Sequence, residues 1–309
     1  MKNVQNGKYM LFFYLTYMIL TKTMIKHDRF QVELLIFSGK ENPKFLLDPL
    51  EYQTIKDLLY SYKINSKFKP PVMGYKGFFL TNLSNLKCES QIIYSLPTAE
   101  KYLLNKLKTN LSDKVYDYIF QQINKKSTPN QLNQEAIINF GQKLRGKDVC
   151  ENLPIIGSNT IPDFNPDKDA KGCFLKNLPY NNCYNYGNDI VSNTFAQPGR
   201  GSNNVWKKIT CEEIKLSAES DGLKSIAKEY PHDLPAIGHY VALMVWNGED
   251  YHWLRLDSNG FWSHKPGQTG IRNIDNSGSI IIDPSTQNLY PYNEFCGYFS
   301  TIPREIRIK

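Results

Sequence analysis

The sequence contains no CxxC pair, no zinc-finger spacing, no Walker-type glycine loop and no aromatic RNA-binding motif. These absences argue against a zinc ribbon, a thioredoxin site and a nucleic-acid role. There is no block of five or six like charges, so the lysines read as a scattered, solvated surface. No internal repeat is apparent. Histidine and tryptophan are scarce, with five and four residues in 309. The apolar run at residues 9–20 is short. As a helix it would reach about 18 Å, well below the roughly 30 Å of a bilayer core. Lys2 and Lys8 precede it, so it fits a signal-peptide h-region, although "TKTMIK" lacks a small-x-small cleavage pattern. The expectation is a signal- or anchor-like segment over residues 1–27, membrane attachment through residues 9–20, and a secreted or membrane-anchored protein (on a virion, for a viral source).

Hydrophobic residues make up 41% and charged residues 22%, a globular composition. The net charge of +7 is uneven. Residues 1–150 hold 22 Lys and Arg against 12 Asp and Glu, a net of +10, while residues 151–309 hold 15 against 18, a net of −3. The basic front half could meet an anionic surface.

Turn and periodicity signals divide the chain in two. "FQVELLIFS", "KGFFLTN" and "SQIIYSL" read as strands. "DPLEYQTIKDLLYSY" opens with Asp48 as N-cap and Pro49 at the first helical position. "TAEKYLLNKLK" and "SDKVYDYIFQQI" read as helices capped by Thr98 and Ser112. Residues 28–126 are thus a small α+β module without visible chemistry. Residues 127–149 read as a connector, with a short helix near 133–144. A second α+β module spans 150–309 and holds four histidines, all the tryptophans and Cys150, Cys173, Cys183, Cys211 and Cys296. Cys88 lies in the first module.

In "NLPYNNCYNYGND", Cys183 sits where a helix can start and run to "QPGRGS". A helix start favours a thiolate through its free N–H groups and dipole. A disulfide or an inert thiol is the other reading. "GHYVALMVWNGEDYHWLRLD" reads as a hairpin carrying His239 and His252, followed by "FWSHKPG". A base on one strand can be oriented by a group on the next. The histidine spacings of 7, 13 and 12 fit no common zinc motif, and no cofactor is expected.

"NNCYNYG" and "GHYVALMVWNGEDYH" resemble the Cys-helix start and the histidine hairpin of papain-like modules of the NlpC and CHAP type. "FAQPGRGS" and "WSHKPG" lie outside that pattern. They resemble a family of two-module proteins of bacteria, large viruses and shelled animals. The papain-like resemblance implies a cysteine hydrolase of amide bonds in a peptide or peptidoglycan-like polymer. It implies Cys183 as nucleophile, His239 as base and His252 as orienter, with Asp257 and His264 as rivals for the last role and Asn177 as a candidate oxyanion donor. The alternative is a non-enzymatic extracellular or virion-surface protein with an inactive module.

Overall fold

The computed structural model describes residues 29–60, 71–84, 90–125, 149–226 and 229–309. The apolar segment at 9–20, the helix expected near 133–144 and Cys88 lie outside them. The fold is α+β, with helices beside antiparallel sheets and no closed barrel among the described residues. The chain forms two compact units. The first comprises the described residues of Met1–Leu34, Pro43–Lys69 and Gly77–Lys143. The second comprises those of Leu35–Asn42, Pro70–Lys76 and Leu144–Lys309. The linear reading had left residues 35–42 and 70–76 in the first module. They pack instead with the second.

The first unit is an antiparallel sheet in the order β2-β1-β3-β4 with three helices. Its strands are β1 (Phe30–Leu34), β2 (Lys44–Leu47), β3 (Phe78–Asn82) and β4 (Ser90–Ile93). β1 stops at Leu34, short of the strand expected to reach Ser38. Helix α1 (Pro49–Tyr60) begins as its cap signal requires. Asp48 Oδ1 accepts from the Glu51 amide at 2.8 Å, and Glu51 Oε2 accepts from the Asp48 amide at 2.9 Å. Helix α2 (Pro97–Lys106) starts one residue before the expected cap, so Thr98 lies inside it. Its first turn is held instead by buried Glu100, which accepts from the Leu96 amide at 2.7 Å. In α3 (Asp113–Lys125), capped by Ser112, the buried residues Val115, Tyr118, Ile119 and Ile123 fall on one helical stripe.

The second unit is built on a five-stranded antiparallel sheet in the order β10-β9-β8-β11-β7. β8 (His239–Trp246) and β9 (Asp250–Leu256) form the expected hairpin, and β10 (Trp262–His264) adds to its outer edge. β11 (Glu294–Thr301) pairs with β8 and with the short β7 (Lys224–Ser225). Two short helices, α4 (Cys173–Lys176) and α5 (Cys183–Gly187), precede α6 (Cys211–Asp221). Thr210 caps α6, accepting from the Glu213 amide at 3.3 Å, and Gly222 ends it at φ +116°. A disulfide joins Cys211 at the start of α6 to Cys296 on β11, and a second joins Cys150 to Cys173. The core between α5, α6 and the sheet holds Tyr184, Ile214, Val241, Leu243, Trp253 and Phe299, all fully or almost fully buried.

The helix expected from Cys183 to "QPGRGS" is a single turn of five residues. Asp189, Asn193 and Phe195 adopt positive φ of 53°, 57° and 48°, which a continuous helix forbids. The β-branched pair Ile190–Val191 forms β6, which pairs with β5 (Ile155–Ile156).

Candidate functional site

Cys183 is the first residue of α5, and the asparagines around it make the helix start. Asn182 is the N-cap, and its Oδ1 accepts from the amides of Tyr184 and Asn185 at 3.1 Å. Asn185 Oδ1 returns the bond, accepting from the Asn182 amide at 3.2 Å and from the Ala196 amide at 3.0 Å. This reciprocal capping box accounts for asparagine on both sides of a cysteine. Lys265, fully buried, supports the same corner by donating to the carbonyls of Leu178, Asn181 and Gly267.

The thiol itself is wholly buried and forms no disulfide. Its sulfur donates to the Tyr251 carbonyl at 3.9 Å, near the Trp253 amide, on β9 just beyond the end of β10. The Ser38 hydroxyl lies near it. Burial pushes the thiol up to about 12, with the Asp250 charge adding to the effect and the Trp253, Ser38 and Lys265 interactions opposing it. At neutral pH the group is a thiol, not a thiolate.

The structure does not bring His239 to this sulfur. His239 Nε2 donates to the Gly187 carbonyl at 2.7 Å, at the far end of α5. Tyr251, whose carbonyl meets the thiol, pairs with Val245. Val245 is six positions from His239 along β8, and the His239 ring reaches the opposite end of α5 from Cys183, about 6 Å away along the helix axis. His239 and His252 are not paired either. His252 faces Met244, five positions along β8 from His239, and an odd offset places the two side chains on opposite faces of the sheet. Among the described residues no hydrogen bond joins His239 to Cys183, and His252 lies on the sheet face opposite His239.

His252 is instead joined to Ser38 and His264. Its Nδ1 lies 2.5 Å from Ser38 Oγ, and its Nε2 lies 2.8 Å from His264 Nδ1. His264 Nε2 reaches the Ile274 carbonyl at 3.0 Å. The Ile274 oxygen can only accept, and that fixes the direction of the chain. His264 donates from Nε2, His252 donates to His264 Nδ1, and Ser38 donates to His252 Nδ1. Both rings are neutral. Burial lowers His252 well below the usual range and His264 to about 4, and nearby Lys76 works the same way on both. Asp257, the other rival, is bonded to Arg255 at 2.8 Å. Arg255 is fully buried, also bonds Asp169 at 3.0 Å and Asp189 at 3.4 Å, and lies over Tyr186. Asn177 keeps a buried Nδ2 without a hydrogen-bond partner among the described residues.

The residues that sequence reasoning missed sit on the loop of residues 35–42. The amides of Ser38 and Lys40 donate to Asp250 Oδ2 and Oδ1 at 2.5 and 2.9 Å, and the Gly39 amide reaches both oxygens at 3.2 and 3.3 Å. Tyr292 donates to the same carboxylate at 2.5 Å. The Gly39 carbonyl accepts from Asn182 Nδ2 at 2.7 Å, Gln197 Nε2 at 2.9 Å and Tyr251 Oη at 3.3 Å. A Cβ on Gly39 would fall within 2.6 Å of three carbons of the Tyr251 ring. "SGK" shows in sequence only as a turn, and nothing in it marks a partner more than 200 residues away.

A pH measurement tests the burial of His239. Burial, with Arg255 nearby, holds its imidazole down to about 3, while the Gly187 bond works against this. Above about 6.5 neither state binds the proton, and the neutral ring's contribution is complete. As pH falls below that, the unfolded chain takes up a proton that the folded chain refuses. About 1.4 kcal/mol of stability is then lost per pH unit. The stability of the natural chain relative to His239→Gln should therefore fall by about 3 kcal/mol between pH 7 and pH 4. Denaturant titrations at both pH values check this, and parallel profiles for the two chains would refute it.

No protein-family model matches the chain, and no solved structure matches it. The chain is 46% identical over 126 residues to insoluble matrix shell protein 1 of Ruditapes philippinarum, a match that covers 40% of this chain and 81% of that protein. The Asn-capped thiol corner and the two disulfides thus belong to a chain that is a member of the family of insoluble matrix shell protein 1.

Proposed function

We propose that this protein is a secreted, non-enzymatic structural or binding component of an extracellular matrix, and that its second unit is a papain-like module without activity. The closed state of Cys183 carries the reading. Its sulfur is fully buried, is pushed up to about 12, and meets the Tyr251 carbonyl on β9 with the Ser38 hydroxyl of the chain's own loop nearby. A cysteine nucleophile needs a thiolate and access to substrate, and this thiol is protonated and fully buried. The matrix setting comes from the related shell protein. Two disulfides among the described residues fit an oxidising, extracellular compartment. No helix among the described residues is long and apolar enough to cross a membrane. The resemblance to NlpC- and CHAP-type modules supports a common architecture, a cysteine at a helix start packed on an antiparallel hairpin. The excess of positive charge in residues 1–150 supports attachment to an acidic matrix polymer.

The test is native thiol mapping at pH 8 without reductant. Cys183 should remain unmodified by iodoacetamide in the folded protein and become fully modified once it is unfolded. Cys183→Ala should leave retention on an acidic polysaccharide resin unchanged. Rapid labelling of native Cys183 by an electrophilic peptide, or turnover of a peptide substrate that Cys183→Ala abolishes, would restore the hydrolase reading.

A further inference from the structure

The second unit holds the loop of residues 35–42, which bends at Ser38–Lys40, much as a groove holds a bent peptide. The successive amides of Ser38, Gly39 and Lys40 all donate to the buried carboxylate of Asp250. The carbonyl between them collects side-chain donors from Asn182 and Gln197, with the Tyr251 hydroxyl shared between it and Gln197 Oε1. The Ser38 hydroxyl closes onto His252. The Tyr251 ring leaves no room for a side chain on the middle residue. These contacts read backbone amides, one carbonyl, one hydroxyl and the absence of a Cβ. The groove therefore selects a Ser-Gly step in a bent segment, which Asn42 Oδ1 closes by accepting from the amides of Ile36 and Phe37 at 3.0 and 2.8 Å. Its partners lie 143 to 214 residues from the loop in sequence. None of the contacts requires the loop and the groove to belong to the same molecule.

We propose that the groove beside Cys183 is a binding site for a bent Ser-Gly-Lys loop, filled here by the chain's own residues 35–42 and able to take the same loop from a second copy. The proposal rests on the reading of the thiol site as closed rather than catalytic. The second copy is the occupant because complementarity to this segment is already present in the fold and every copy carries the segment. In dilute solution the tethered loop wins through its high effective concentration. As protein concentration rises, exchange between copies becomes competitive with no new contact needed. Reciprocal exchange closes a dimer, and sequential exchange builds an open chain of molecules.

The experiment uses Gly39→Val, which drives the loop away from the Tyr251 ring and leaves the groove's lining unchanged. A fluorescein-labelled peptide of residues 35–42, LIFSGKEN, is titrated against the full-length variant and the natural chain and followed by anisotropy. Saturable binding is expected for the variant. The natural chain should bind at least ten-fold more weakly, and Gln197→Ala in the variant background should weaken binding. If Gly39→Val folds only when the peptide is present, that rescue is the same result. Absence of both binding and rescue overturns the site. The source of the occupant is tested by refolding equal amounts of isotopically light and heavy natural chains at low and high concentration. Lys40, whose ammonium feels Glu249, is then joined to it by carbodiimide. Cross-links between light and heavy chains that increase with concentration are expected. Cross-links confined to one isotope at every concentration overturn the second copy as occupant. Native labelling of Cys183 reports separately on whether the thiol site is closed.

Discussion

Replacing Asp250 with alanine should destabilise the second unit by more than about 4 kcal/mol, a loss large enough to leave a domain of ordinary stability partly unfolded at 25 °C. The carboxylate is fully buried and receives the amides of Ser38, Gly39 and Lys40 and the hydroxyl of Tyr292. Burial pushes the Asp250 carboxyl up, and the bonds from Tyr292, Ser38 and Lys40 pull it back toward the ionised form. Alanine removes the acceptor and leaves four donors without it. Each buried donor left unpaired costs about 1–3 kcal/mol. Asp250→Asn should be milder, because the amide oxygen still accepts while its NH₂ faces the remaining donors. Urea titration followed by tryptophan fluorescence reads this unit alone, since Trp206, Trp246, Trp253 and Trp262 all lie in it. A change below about 1 kcal/mol for Asp250→Ala would mean that the loop contributes little to the unit's stability.

Removing the Cys211–Cys296 bridge as Cys211→Ser with Cys296→Ser should cost about 4–5 kcal/mol. The bridge closes a separation of 85 residues and fixes the start of α6 to β11, next to the core formed by Ile214, Trp253 and Phe299. Most of the effect arises in the unfolded chain, whose freedom the long loop restricts. The Cys150–Cys173 bridge spans only 23 residues, so its removal should cost about 3 kcal/mol. The ranking is the measurement: equal losses for the two double variants would argue against the loop-length account. The same comparison checks the compartment, since a protein that leans this heavily on a long-range disulfide requires oxidising conditions to persist.

The local elements were legible where short-range chemistry determines them. Asp48 and Pro49 announced α1, and alternation announced β3, β4 and the β8–β9 hairpin. "NNC" announced a helix start, although its length was misjudged. Residues with positive φ at Asp189, Asn193 and Phe195 cut that helix to one turn; Asp and Asn tolerate that conformation, but Phe195 gives no such signal. α6 carries Thr210 and Gly222 as start and stop signals that were open to reading. β11 hid because a bulge between Phe295 and Gly297 breaks its alternation. The disulfide pairing was closed to sequence reasoning, since cysteine spacing does not determine connectivity. At the site, Cys183 was correctly placed at a helix start. Its surroundings were not readable, because the choice among histidines depends on sheet register, and Ser38 arrives from the other end of the chain. Register set His239 and His252 on opposite faces, which no hairpin motif reveals.

The dependence of the second unit on residues 35–42 also has a consequence in time. Ser38 is synthesised 212 residues ahead of Asp250. At 5–20 residues per second, its partner follows about 10–40 s later. Through that interval the apolar residues Leu35, Ile36 and Phe37, buried in the finished protein, have no groove to enter. The nascent chain must carry them past the ribosome unpartnered, in surroundings crowded with other nascent copies whose grooves are just being completed.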